Sequence, residues 1–219
     1  MKRFWFILFV FYCFSVRGQV SDFRTTNFHD ADSIADRYAA HSLIDIKTLS
    51  DKLTSSLPTD QEKFRAIYKW VCSNIEADYE LLILNKKNRS TLKGEELTYW
   101  NKTFNKMVFE TLLQERKTIC TGYAYLVREL AFHAGLTCVV VNGYAKPTGI
   151  DRSVLGTVNH SWNVIQLNGK SYVCDATWSS GIFSVSAGKF LKKYNNQYFL
   201  MEPTLFYKSH YTPDQGNYN

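Results

Sequence analysis

His160-Ser161-Trp162-Asn163-Val164-Ile165-Gln166-Leu167, then Asn168-Gly169, then Lys170-Ser171-Tyr172-Val173-Cys174-Asp175-Ala176-Thr177: residues 160–177 read as two β-like runs joined by an Asn-Gly pair. That pair between strand-like runs is a strong short-range hairpin signal, because both residues tolerate the left-handed backbone that a two-residue turn needs. A two-residue loop sets Leu167 opposite Lys170 and Trp162 opposite Asp175. His160 lies two residues from Trp162 and so on the same face, which makes His160 and Asp175 diagonal neighbours within side-chain reach. A slip of one residue would put them on opposite faces. The turn therefore carries a functional expectation as well as a structural one.

Upstream the apolar period changes. Thr137 to Tyr144 is valine-rich and reads as a third strand. Before it, Leu126, Val127, Leu130 and Ala131 recur at helical spacing, and Gly135 is placed to end that helix. Thr118-Ile119-Cys120-Thr121-Gly122 leads into it. Further back, Thr59 with Glu62 forms a capping-box pattern that opens a helix burying Phe64, Ile67, Tyr68, Val71 and Ile75. Leu43 to Leu57 reads as another helix, stopped at Pro58. The polar stretch Asn85 to Asn105 reads as a loop, and residues 19–42 as an irregular amino-terminal arm. Helices first and an antiparallel meander after them predict an α+β domain over residues 43–213, with 214–219 as a short tail.

Cys120 falls where a loop becomes a helix. The free N–H groups and dipole of a helix start favour a thiolate, and the same N–H groups suit the oxygen of a tetrahedral intermediate. Gly122 would let backbone and substrate approach; Trp162 and Trp178 each read as core or as substrate wall, and for Trp162 the register favours the site side. A carboxylate beside an imidazole orients the ring, and a Cys–His pair activates sulfur with no metal. No Cys-x-x-Cys or His-x-x-x-His pair occurs, and no metal or cofactor is expected. His29 and His41 read as solvated, His133 as a half-exposed helix residue, and His210 as a packing residue of the tail. Tyr79, Trp100 and Gln114 are candidates for a second oxyanion donor.

Cys120-Thr121-Gly122-Tyr123-Ala124, His160-Ser161-Trp162-Asn163 and Asp175-Ala176-Thr177-Trp178 resemble, in order and spacing, the three signature blocks of the transglutaminase-like superfamily. Tyr68-Lys69-Trp70-Val71 resembles the helix upstream of them in that family, and Tyr198-Phe199-Leu200, Pro203 and His210 resemble its tail. Thr118, where a glycine is common, and Ala77, where an aromatic is common, depart from the pattern. The resemblance implies a papain-like fold, with a helical half presenting Cys120 against a sheet presenting His160 and Asp175. It further implies Cys120 as nucleophile, His160 as base and Asp175 as orienting acid, acting on a protein or peptide amide through a Cys120 thioester. Peptidase, deamidase and transglutaminase share these residues, and a non-catalytic protein-binding module on the same fold is the alternative.

The chain has 219 residues, 45% hydrophobic and 16% aromatic, enough for one packed domain. Lys2 and Arg3 followed by the apolar run Phe4 to Phe14 read as a secretory signal peptide over residues 1–18, a run shorter than the roughly 20 residues that span a bilayer. Removal of that leader takes Lys2, Arg3 and Arg17 from a formal charge of +6. The remaining charges are mixed in sign, with no basic stripe for nucleic acid. The sequence thus predicts an exported protein, secreted or periplasmic, without stable membrane insertion after processing. Cys72, Cys120, Cys138 and Cys174 are an even count that would allow disulfides in an oxidising compartment.

Overall fold

The computed structural model describes residues 18–146, 158–184 and 189–212. Ala31, Ile34 and Ala35 are buried at helical spacing in α1 (His29–Arg37), so the segment read as an irregular arm holds a helix packed on the core. Its apolar stripe is made of alanines and one isoleucine among charges, too thin to register as periodicity. Asp45 caps α2 (Ile46–Thr54) by accepting the Thr48 N–H at 2.9 Å. Thr59 caps α3 (Asp60–Asn74), and its hydroxyl also bonds the Glu62 carboxylate, satisfying a helix start that would otherwise leave N–H groups unpaired. The short strand β1 (Glu76–Ala77) follows, and then α4 (Tyr79–Thr91), capped by Asp78.

The stretch expected to be a loop is the hairpin of α4 and α5 (Gly94–Glu115). These helices bury only Leu81 on one and Phe104, Val108 and Leu112 on the other. A pair that buries so little shows a mostly polar surface, which is why its sequence resembles a loop. Arg116, at φ 57°, ends α5 and leads into β2 (Lys117–Thr118), which pairs in parallel with β1. That pairing fixes the approach to α6 (Cys120–His133). Gly135, at φ 76°, closes α6 as Leu136 N–H returns to the Ala131 carbonyl at 2.9 Å.

The sheet half begins with β3 (Cys138–Ala145), β4 (His160–Leu167) and β5 (Lys170–Cys174). Asn168 and Gly169 take φ 50° and 73°, and Leu167 faces Lys170 while Asn163 faces Cys174, the register expected from the Asn-Gly turn. The second run ends sooner than its sequence suggests. After Cys174 the chain turns into α7 (Ala176–Ser180), then β6 (Gly181–Ser184), β7 (Lys189–Lys192), α8 (Pro203–Phe206) and β8 (His210–Tyr211). The main sheet is antiparallel, in the order β5-β4-β3-β8. The protein is an α+β fold, helices packed on an antiparallel sheet.

The main core lies between α2, α3 and α6 on one side and β4 and β5 on the other, with Phe64, Tyr68, Val127, Leu130, Ile165 and Cys174 all fully buried. The opposite face of the sheet buries Val141, Trp162, Val164 and Val173 under Phe206 of α8. Asn163 ties the halves together by donating Nδ2 to the Ala124 carbonyl of α6 at 2.9 Å. Residues 1–17, most of the expected leader, and 213–219 lie outside the described residues. Among the described residues no helix is long and apolar enough to cross a membrane.

Arg65 of α3 is buried, its side chain 6% exposed, and forms a two-pronged pair with Asp32 of α1 at 2.5 and 2.8 Å. It also donates to Asn196 Oδ1 at 2.7 Å, pinning the loop before α8. Asp32→Ala leaves the guanidinium uncompensated and should lower unfolding free energy by about 3 kcal/mol, although Arg65→Met in the same chain should recover most of the loss. Denaturant melts of the single and double variants check this. A double variant no better than the single would show that the pair contributes beyond mutual neutralisation.

Candidate active site

Cys120 is the first residue of α6, and no side chain caps that helix end. The parallel pairing of Ala77 with Thr118 and a 2.7 Å bond from Asp78 N–H to the Thr118 carbonyl hold the approach. From the sheet, His160 at the start of β4 lines the same cleft as Cys120. Its ring Nε2 stands 2.7 Å from Asp175 Oδ2. The structure thus brings together the three residues that the sequence singled out. Cys120 is half-buried, His160 8% exposed and Asp175 0% exposed.

Their proton equilibria follow from this order. Burial opposes a Cys120 thiolate, but the His160 charge and hydrogen bond, with the Ser161 N–H, outweigh it and hold the thiol below its ordinary range. Burial likewise opposes His160 imidazolium, and is overcome by Asp175 and by Cys120, so its pKa is raised. Asp175 is buried too, and its neighbours His160 and His210 keep it ionised far down in pH. The three therefore favour a thiolate–imidazolium–carboxylate chain.

Asp175 is positioned by its backbone as much as by its carboxylate. Its N–H donates to the Tyr198 carbonyl at 3.1 Å, and its own carbonyl accepts the Tyr68 hydroxyl at 2.8 Å. Oδ1 caps α7 by accepting the Thr177 and Trp178 N–H groups at 2.8 and 3.2 Å.

Residues 47–176 match the family model of the transglutaminase-like superfamily core. The chain belongs to the transglutaminase-like superfamily. It is 34% identical over 186 residues to kyphoscoliosis peptidase of mouse, covering 82% of this chain and 25% of that protein. The human protein of the same name is 34% identical over 193 residues, covering 87% of this chain and 26% of the relative. The chain thus spans about a quarter of the length of these relatives. A solved structure of a TGase is 17% identical, with a TM-score of 0.43, covering 78% of this chain and 37% of that one.

Against the transglutaminase-like pattern, several expectations change. Trp162 is 1% exposed and lies behind His160, ring centroids 6.2 Å apart, in the cluster under α8. The face assignment was right, but α8 covers that face, so Trp162 backs the site and Trp178 lines the cleft instead. Gly122 is also accounted for by packing. A Cβ there would stand 1.8 Å from Thr118 Oγ1, so the close approach is made by Thr118 and not by a substrate. None of Tyr79, Trp100 and Gln114 lines the cleft. Trp100 donates to Asn85 on α4 at 3.1 Å.

His210 is the residue that sequence reading missed. It is 0% exposed, and its Nε2 lies 3.0 Å from the same Asp175 Oδ2 that His160 uses. No local signal pairs it with an acid 35 residues away; only the family tail motif marked it. The donor atoms of His160, Asp175 and His210 lie within 4.8 Å of one another. Ligands of one tetrahedral zinc, about 2.1 Å from the metal, would stand about 3.4 Å apart. The 2.7 and 3.0 Å separations here are those of hydrogen bonds, and the set is a hydrogen-bonded cluster.

A cleft of about 450 Å³ opens beside Cys120 and His160, its walls largely apolar through Leu82, Ile119, Ile182, Phe183 and Phe190. Among the described residues all four cysteines are free, with Cys72, Cys138 and Cys174 buried and their thiols pushed up by burial. Iodoacetamide on the native protein should therefore modify Cys120 alone. It should do so at pH 6, where an ordinary thiol of pKa about 8.5 is scarcely ionised. Peptide mapping reads the site; labelling of another cysteine first, or none until alkaline pH, would contradict the geometry.

Proposed function

We propose that this chain carries out thiol-dependent acyl transfer on amides of proteins or peptides, with Cys120 as nucleophile, His160 as proton carrier and Asp175 as orienting acid. The observation that carries the reading is a cleft lined by both Cys120 and His160, with the imidazole 2.7 Å from a buried carboxylate. Burying charged groups beside a thiol opposes stability, and a nucleophile with its base accounts for the cost.

In this reading the Cys120 thiolate attacks the amide carbonyl, and a C–S bond forms as the carbonyl oxygen takes the electron pair. Uncapped N–H groups at the start of α6 suit that oxyanion. His160 imidazolium gives its proton to the leaving amine, the C–N bond breaks and a thioester remains. Water or a second amine, deprotonated by the now neutral His160, then displaces Cys120. Water gives peptidase or deamidase chemistry and an amine gives transamidation, using the same residues. The apolar cleft favours an acyl donor with a bulky apolar residue near the reacting amide, as in a protein segment. The setting we propose is an exported one, because of the leader pattern at residues 1–18.

Cys120→Ala should abolish turnover while leaving the melting temperature within a few degrees of wild type, since a half-buried thiol carries little packing. Asp175→Asn should slow the reaction by between ~10-fold and ~10⁴-fold, the upper figure being the effect of imposing the wrong imidazole tautomer. Substrates are found by comparing proteolytic and cross-linked products after incubation with wild type and with Cys120→Ala. If the two product sets are identical while both proteins retain a common bound partner, the chain is a binding module and the enzymatic reading falls.

Amino-terminal sequencing of the protein recovered from its native cells should give a start at or near Gln19. Recovery with Met1 intact would overturn the exported setting.

A further inference from the structure

Asp175 Oδ2 accepts two imidazoles, and only one of them has a place in the chemistry above. His210 reaches the carboxylate from β8, where it pairs with Ala145 of β3. Its ring stacks on Phe206 at 3.9 Å between centroids and faces Trp178 at 4.6 Å and Trp162 at 5.2 Å. This apolar wrapping disfavours a charged ring, and the pKa of His210 is lowered, burial being the largest cause. A neutral ring that donates through Nε2 keeps Nδ1 as an acceptor, and Ser209 Oγ lies 3.0 Å from it. The carboxylate is already anchored through Oδ1 by two backbone N–H groups. His210 is thus not needed to hold Asp175 in place.

We infer that His210 is a positioning residue that, as a neutral second donor to Asp175 Oδ2, moderates how tightly that carboxylate holds the proton of His160. The inference rests on the acyl-transfer reading. A carboxylate buried with His160 as the sole donor on Oδ2 would concentrate its charge on that imidazolium and make it a reluctant acid toward the leaving amine. Sharing the oxygen with a second N–H withdraws part of that pull. The other titratable groups facing the cluster stay neutral through the working range. Tyr68 and Cys72 of α3, Tyr123 of α6, Cys174 of β5 and Tyr198 of the loop before α8 all have their pKa raised, in each case chiefly by burial. Cys120, His160 and His210 are left to shape the profile.

The test reads Cys120 with iodoacetate, whose negative charge makes it react best with a thiolate beside an imidazolium. Its rate against pH is therefore a bell, with the alkaline limb marking loss of the His160 proton. His210→Phe keeps the ring stack and removes the donor. It should move the alkaline limb up by about half a unit, the worth of one hydrogen bond, and slow turnover. His210→Gln, which restores an N–H near the same place, should return the limb to within about 0.2 units of wild type. An unmoved limb in His210→Phe, or a limb that His210→Gln does not restore, would overturn the inference while leaving the Cys–His reading intact. A wild type with no bell at all would instead sink the acyl-transfer reading.

One measurement needs no variant, should His210→Phe fail to fold. In ¹⁵N spectra of the wild-type protein, His210 should be one neutral tautomer at neutral pH, protonated at Nε2, and should gain its second proton only below the ordinary histidine value. Titration near the ordinary histidine value, or a proton on Nδ1 in place of Nε2, would overturn the proposal.

Discussion

A negative charge with no access to water sits where the two halves of this molecule meet. An unpaired carboxylate in a protein interior costs several kcal/mol at least, and Asp175 is 0% exposed. It is tolerated because each of its polar atoms is engaged, and the engaging groups come from widely separated parts of the chain. Tyr68 belongs to α3, Tyr198 to the loop before α8, His160 to β4 and His210 to β8. The carboxylate therefore does more than orient one imidazole. It makes the docking of helices, sheet and tail mutually dependent, since a segment that fails to arrive leaves part of a buried charge unmet.

What could be read from the sequence was what depends on neighbours in the chain. Asn168 and Gly169 dictate their own backbone, and a two-residue turn leaves one register, so the His160–Asp175 contact followed from the alternation of a strand. The Thr59 cap and Gly135 stop were legible for the same local reason. Trp162 shows the boundary of that reasoning. Register says which face a side chain takes, and not what covers the face; Phe206 of α8 covers this one.

Two further misreadings have the same origin. The helices α1 and α4 and the first half of α5 bury narrow or sparse stripes, so their sequences look like polar connections even though their backbones are helical. His210 lies beyond any local rule, because its partner is brought to it only when β8 pairs with β3. Gly122 was correctly marked as a close approach, but the atom that approaches is Thr118 Oγ1, which arrives through the pairing of β2 with β1.

The 2.9 Å bond from Asn163 Nδ2 to the Ala124 carbonyl has a meaning beyond packing. It is a seam between the half that carries the sulfur and the half that carries the imidazole and the carboxylate. The Cys120 thiol is held below its ordinary range only while that seam is closed, since that lowering comes from across it. A chain still being made, or one whose halves have come apart, carries an ordinary thiol and is chemically quiet. An activated thiol in this architecture is a property of complete assembly, absent from either half alone.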